Sequence, residues 1–168
     1  MQENFTKCLD FTLQYEGGFS DNPHDKGGAT NMGITHVTLA AWRHAAVTIQ
    51  DVRNLTRGEA ADIYKTCYWD HVRGDELPAS IDLAVFDYAV NSGVTAAIRT
   101  LQSILGVTSD GVLGPKTLAE ANNANAKAIA QAICEHRLNF LERLSSFSIF
   151  GHGWTSRVNA CRMACIAA

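Results

Sequence analysis

The chain has 168 residues, 46% hydrophobic and 18% charged, with a formal net charge of -3. That length supports one domain, or one domain with two lobes, around a true hydrophobic core, and the composition is too apolar for a disordered chain. A negative balance without any Lys/Arg-rich run excludes a protein that binds nucleic acid by neutralising phosphates, and charge interrupts each apolar stretch before the ~18 residues a membrane span requires.

Residues 1–15 carry Glu3, Lys7 and Asp10 among apolar positions, which is not the apolar core of a signal peptide. Instead Phe5, Cys8, Leu9, Thr12 and Tyr15 recur at three- and four-residue spacing, predicting a helix over 3–16 with one apolar face. Gly17-Gly18 stops it. Residues 17–35 are turn-rich, with Gly27, Gly28, Gly33 and Pro23, and read as a loop or a short hairpin. A helix is expected over 37–46. Thr56-Arg-Gly-Glu59 has the form of a capping box and opens a helix reaching about Tyr68.

Pro78 precedes an apolar helix over 81–90, ended by Asn91-Ser-Gly93. Residues 95–105 form another, closed by Gly106. In Asp110-Gly-Val-Leu-Gly-Pro-Lys-Thr117 a turn leads into a helix with Pro115 in its first turn. The longest helical pattern runs over 125–147, and a last helix follows Trp154. Period-two alternation is nearly absent, so the fold is expected to be mainly α.

The five cysteines, Cys8, Cys67, Cys134, Cys161 and Cys165, are odd in number and contain no Cys-x-x-Cys. Most of them read as buried thiols packed as small hydrophobes. His24 and His36 flank the acidic loop, but several oxygens at set spacing would be needed for a hard cation. No metal and no cofactor is expected.

The chemistry is concentrated in residues 16–34. Glu16 ends the first helix, and the loop that follows carries Asp21, Asp25 and Thr30. Two carboxyl groups across a cleft are the minimal equipment for breaking a glycosidic bond. The C-terminal end of a helix carries partial negative charge and disfavours a second one, and Tyr15 and Phe19 would add desolvation. Both influences favour an acid that keeps its proton for delivery. Lys or Arg would suit a purely structural design better here, and departures of this kind tend to mark function. Asp25 and Asp21 both remain open as the second acid. Further along, Tyr88 offers a stacking face and Asn91 an amide for N-acetyl groups, each as a substrate-binding candidate. Asp87 beside them reads either as a further cleft residue or as a solvated helix residue.

The spacing Glu16-x8-Asp25-x4-Thr30 is similar to the Glu–Asp–Thr triad of phage-type lysozymes, with the threonine one residue early. The longer string Glu16-Gly-Gly-Phe, Asp21-Asn-Pro-x-Asp25-x-Gly-Gly-x-Thr30, Gly33-Ile34 resembles glycoside hydrolase family 108. So do Tyr68-Trp69-Asp70, Phe86-Asp-Tyr-Ala-Val-Asn-Ser-Gly93, Asp110-Gly-x-x-Gly114-Pro-Lys-Thr117, Gly153-Trp154 and Arg157-Val158. These motifs cover nearly the whole chain in order. The resemblance implies a lysozyme-like α-helical fold with a glycine-rich loop or hairpin after the first helix. It implies a catalytic lobe over 1–93 and a helical peptidoglycan-binding lobe over 94–168, packed as one unit.

The implied activity is that of an N-acetylmuramidase, with Glu16 donating the proton and Asp25 and Thr30 positioning water or stabilising charge. Its partners would be peptidoglycan glycan strands, acted on by a monomer without membrane insertion or nucleic acid. A phage endolysin fits, held in the host cytoplasm until a holin opens the membrane. A bacterial muramidase that remodels the wall for secretion, or a silent wall binder, would be the alternatives.

Overall fold

The computed structural model describes residues 2–21 and 28–167, with side chains from residue 4 onward. It divides into two compact units, one formed by Met1–Cys8 with Tyr68–Ala168 and the other by Leu9–Cys67. Helices dominate both, as the near-absence of period-two alternation predicts.

In the smaller unit the chain runs through the end of α1 (Gln2–Glu16), a hairpin of β1 (Thr30–Asn31) and β2 (Ile34–Thr35), and the helices α2 (His36–Arg43), α3 (Ile49–Arg53) and α4 (Arg57–Tyr64). α1 stops where Gly17 turns to φ 72°, a conformation open to glycine at little cost. The strands are antiparallel, with Thr30 opposite Thr35 and Asn31 opposite Ile34. Their two-residue connection, Met32-Gly33, has φ 48° and 72°. Positive φ at both central residues matches the type I′ turn that suits strand twist. Ser20 joins this element from outside, exchanging two 2.8 Å backbone hydrogen bonds with Thr30.

Three helix starts in this unit are fixed by threonine hydroxyls. Thr35 caps α2 by accepting from Thr38 N. Thr48 caps α3 in a full capping box with Asp51, a short helix that the sequence pattern does not reveal. Thr56 accepts from Glu59 N at the start of α4, while the Glu59 carboxylate is gripped by Arg43 at 2.7 and 2.8 Å. α2 ends at Arg43, short of the expected residue 46, because His44 takes the left-handed conformation. After Tyr64 the helical turn widens into a π-helix, Lys65–Trp69.

The larger unit is built round α5 (Ile81–Ser92), against which α6 (Val94–Ile104), α8 (Ala126–Glu142) and α9 (Phe147–Ala167) pack. Every α5 residue from Ile81 to Ala89 is buried, which explains its nearly continuous apolar sequence. Each fully buried Val, Leu, Ile or Phe there contributes about 1.5–3 kcal/mol. Phe5, Trp69 and Phe86 meet with ring centroids 5.4–6.1 Å apart, and Gly74 lies against the Trp69 ring, where a Cβ would approach to 2.4 Å.

α7 (Pro115–Asn123) begins with its proline at the first position, as expected. The loop before it is organised by Gln102, buried to 1% exposure. Its amide donates to Asp110 Oδ1 (2.7 Å) and the Val112 carbonyl (3.0 Å) and accepts from Gly111 N (2.8 Å). The Asp110-to-Thr117 motif is therefore used to build the loop.

The last two helices depart from the expectation. α8 ends at Glu142, and α9 begins at Phe147, seven residues before Trp154. Gly151 and Gly153 lie inside α9. At Gly151 the reason is steric, since a Cβ would come within 2.8 Å of the Phe147 ring.

Asp87 is not solvated. It has no exposed surface and accepts hydrogen bonds from Arg137 Nη1 (2.7 Å) and from Arg157 Nη2 (2.8 Å) and Nε (3.1 Å). Burial works against its charge, but the two guanidiniums outweigh that and hold its carboxyl below the usual carboxylate range.

All five cysteines are free thiols, Cys67 exposed and the others buried. The neighbouring thiols of Cys161 and Cys165 pull Cys134 down, and Cys134 and Cys165 push Cys161 up.

Candidate active site

Glu16 is the last residue of α1, half-buried, at a helix end with no basic residue in its final turn. Its carboxylate lies over the tip of the hairpin. A Cβ placed on Gly33 would sit 2.7 Å from Glu16 Oε2 and 2.5 Å from the Tyr64 hydroxyl oxygen. Both distances are shorter than real Cβ contacts, so these two oxygens converge on one point above the Gly33 backbone, within a few ångströms of each other. Glycine is required there twice, for space and for φ.

Tyr64 is buried to 2% exposure at the end of α4 and donates its hydroxyl to the Met32 carbonyl at 2.9 Å. That bond ties the turn down beneath the acid. From the other side, Asn31 Nδ2 donates to the carbonyls of Val52 (3.0 Å) and Arg53 (3.1 Å), fixing β1 to the end of α3. Arg53 in turn places its guanidinium 4.0 Å from the Phe19 ring centroid. The acid thus faces a hairpin clamped by two side-chain hydrogen-bond systems, a rigid setting of the kind catalytic groups need.

Thr30 opens β1 and is half-buried. Its backbone pairing with Ser20 closes the base of the segment that contains both loop acids. Asp21, next to that pair, is exposed. Asp25 and His24 lie outside the described residues. His36 directs Nε2 to the Val47 carbonyl at 2.8 Å, a structural contact. Among the described residues no cluster of three or more His, Cys, Asp or Glu is arranged to hold a metal.

The two candidates on α5 belong to the other unit. Tyr88 is buried to 2% exposure and the Arg137 guanidinium lies 5.4 Å from its ring centroid, so its ring packs in the core of that unit. Asn91 is half-buried and accepts a 3.1 Å hydrogen bond from Ser92 Oγ.

Residues 9–93 match the family model described as Glycosyl hydrolase 108. The chain belongs to glycosyl hydrolase family 108. Residues 96–159 match a second model, described as a predicted peptidoglycan domain. The structure is similar to that of SagA from Brucella abortus, with 45% sequence identity, a TM-score of 0.88, and coverage of 99% of this chain and 96% of that one. No curated protein sequence matches the chain. The family 108 chain is thus a lysozyme-like glycoside hydrolase, with peptidoglycan as its ligand.

Tyr64 is the residue of this site that sequence reasoning misses. It sits among Ala60 and Ile63 on the apolar face of α4, where a tyrosine reads as core. Gly33 is visible in the family string, but its spacing gives no hint that it faces the acid. A Gly33→Ala substitution is expected to push the Glu16 carboxylate aside. A misplacement of this size costs about 10²-fold in rate, and the loss should show as slower clearing of a peptidoglycan suspension by folded protein. Unchanged clearing would separate the turn from the acid's placement.

Proposed function

We propose that the protein is an endo-acting N-acetylmuramidase that hydrolyses the β-1,4 bond between N-acetylmuramic acid and N-acetylglucosamine. The observation that carries this reading is the Glu16 carboxyl held at a helix end, over Gly33 and beside the Tyr64 hydroxyl. Glu16 donates its proton to the glycosidic oxygen as the bond to the anomeric carbon breaks. Water then supplies hydroxide to that carbon, and its remaining proton restores the acid. Asp25, or Asp21 in its place, orients the water or stabilises the developing oxocarbenium charge, with Thr30 at the base of the same segment. Asn91 serves the N-acetyl groups. The chemistry draws only on side chains.

The decisive experiment is digestion of purified sacculi followed by mass spectrometry of the soluble products. Fragments with reducing-end muramic acid are expected. Reducing-end N-acetylglucosamine would move the cut to the other bond, and intact sacculi carrying bound protein would leave a wall binder.

We further propose that the enzyme acts as a monomer in phage lysis, waiting in the host cytoplasm for a holin. This role accords with the family's chemistry. Expression in a bacterial host is expected to lyse cells only when a pore-forming holin is co-expressed. Lysis without the holin would point to export by another route, as wall remodelling for secretion would need.

A further inference from the structure

The first half of α9 carries a surface whose chemistry the catalytic reading leaves unused. Ile149 and Phe150 are 75% and 53% exposed. Trp154 stacks beside them, its ring centroid 5.7 Å from Phe150 and 6.3 Å from Phe147. Next to this aromatic group lies an open groove of about 400 Å³ lined by Phe147, Gly151, His152, Thr155, Ser156 and Asn159, at the small end of ligand-pocket volumes.

The lining follows a helical rule. His152, Thr155, Ser156 and Asn159 fall at three-, four- and seven-residue intervals and therefore share one face. Their side chains make no hydrogen bond to another described residue, leaving four sets of donors and acceptors directed at solvent. Gly151 lets the Phe147 ring lie directly on the helix backbone, where any Cβ would meet it at 2.8 Å. That glycine weakens the helix and in exchange lays an aromatic floor.

An aromatic surface beside neutral hydrogen-bonding groups matches a pyranose ring, which has an apolar C–H face and a rim of hydroxyls. None of the six lining residues is Asp, Glu, Lys or Arg. The stem peptides of peptidoglycan carry free carboxylates and amines and would leave those charges unanswered here. N-acetylglucosamine carries none.

We propose that this groove is a glycan-holding subsite for an acetamido sugar of the peptidoglycan strand, built wholly from α9. The assignment rests on the reading of peptidoglycan as substrate, and adds where the larger unit grips it.

The test uses the full chain with Glu16→Gln, which is expected to hold sacculi without cutting them. Ser156→Ala and Asn159→Ala, added together, should weaken sacculus binding at least tenfold. The same pair in the otherwise native chain should leave the melting temperature unchanged. His152→Ala, at an exposed position, provides an independent second variant with a loss in the same direction. Titration of isotope-labelled protein with the tetramer of N-acetylglucosamine should give saturable shifts in amides of residues 147–159. Sacculus binding unaffected by either set of variants, or tetramer shifts absent from this segment, would overturn the groove assignment. If wild-type protein still releases muramic-acid fragments in that case, only the groove fails. If it releases none and the Glu16→Gln chain does not bind, the muramidase reading fails with it.

Discussion

Glu16→Gln is expected to slow the release of peptidoglycan fragments by about 10²–10⁴-fold, the usual contribution of a general acid. Glutamine keeps the shape and hydrogen-bonding reach of the side chain and loses only the transferable proton. The fold should not suffer. Glu16 is half-exposed at the C-terminal end of α1, without a basic residue in that turn, and a negative charge at this end of a helix is unfavourable by about 0.3–1 kcal/mol. The melting temperature should therefore change little while the rate collapses. A rate lost without a loss of stability is the mark of a residue kept for activity. Fragment release at the wild-type rate would remove Glu16 from the mechanism.

Asp87→Asn should act on the other quantity. The carboxylate is fully buried between Arg137 and Arg157, and removing its charge takes the Asp87 counter-charge away from both guanidiniums in the core of the larger unit. Breaking a buried pair in this way costs about 3–5 kcal/mol. For a chain of this size that lowers the melting temperature by roughly 10 °C. The acid dependence carries a second signature. Because its partners depress the Asp87 carboxyl in the folded state, it contributes stability that is present above the unfolded value near ~3.9 and is lost as pH falls through the folded one. Asp82 works in the opposite sense, since burial raises its carboxyl above the ordinary value. The wild-type protein should lose the Asp87 share of its stability below about pH 4, and the variant should lack that share at every pH. Thermal melts of both proteins between acid and neutral pH would measure it. Equal melting temperatures at neutral pH would show that the ion cluster adds nothing net.

Much of this architecture is legible in the amino-acid order, for identifiable reasons. Helix α1 carries its apolar residues at helical spacing and ends on Gly17-Gly18, so both its face and its stop can be read. Pro115 marks a helix start in the same way. The hairpin stays undecided at that level because its strands are two residues each, too short for any alternation to register. What fixes it instead is tertiary, namely the Tyr64 hydroxyl on Met32 and the Asn31 amide on α3. The start of α9 is misplaced for a similar cause. Only the Phe147 ring lying on the backbone reveals why the helix accepts a glycine at Gly151. Asp87 reads as a surface acid because its partners stand 50 and 70 residues away in sequence. Within the site, the acid is recognisable from its place at a helix end, whereas the tyrosine beside it is hidden in an ordinary apolar pattern.

The arginines that neutralise Asp87 also bear on how the chain is inherited and handled. Asp87 falls within the stretch that matches the hydrolase family, while Arg137 and Arg157 fall within the stretch that matches the peptidoglycan domain. A cut between residues 93 and 96 would separate the buried acid from both of these guanidiniums. The two stretches match separate family models. The shared carboxylate makes them co-dependent, so that neither piece should fold on its own and any recombination that exchanged one half would have to bring the matching charges with it.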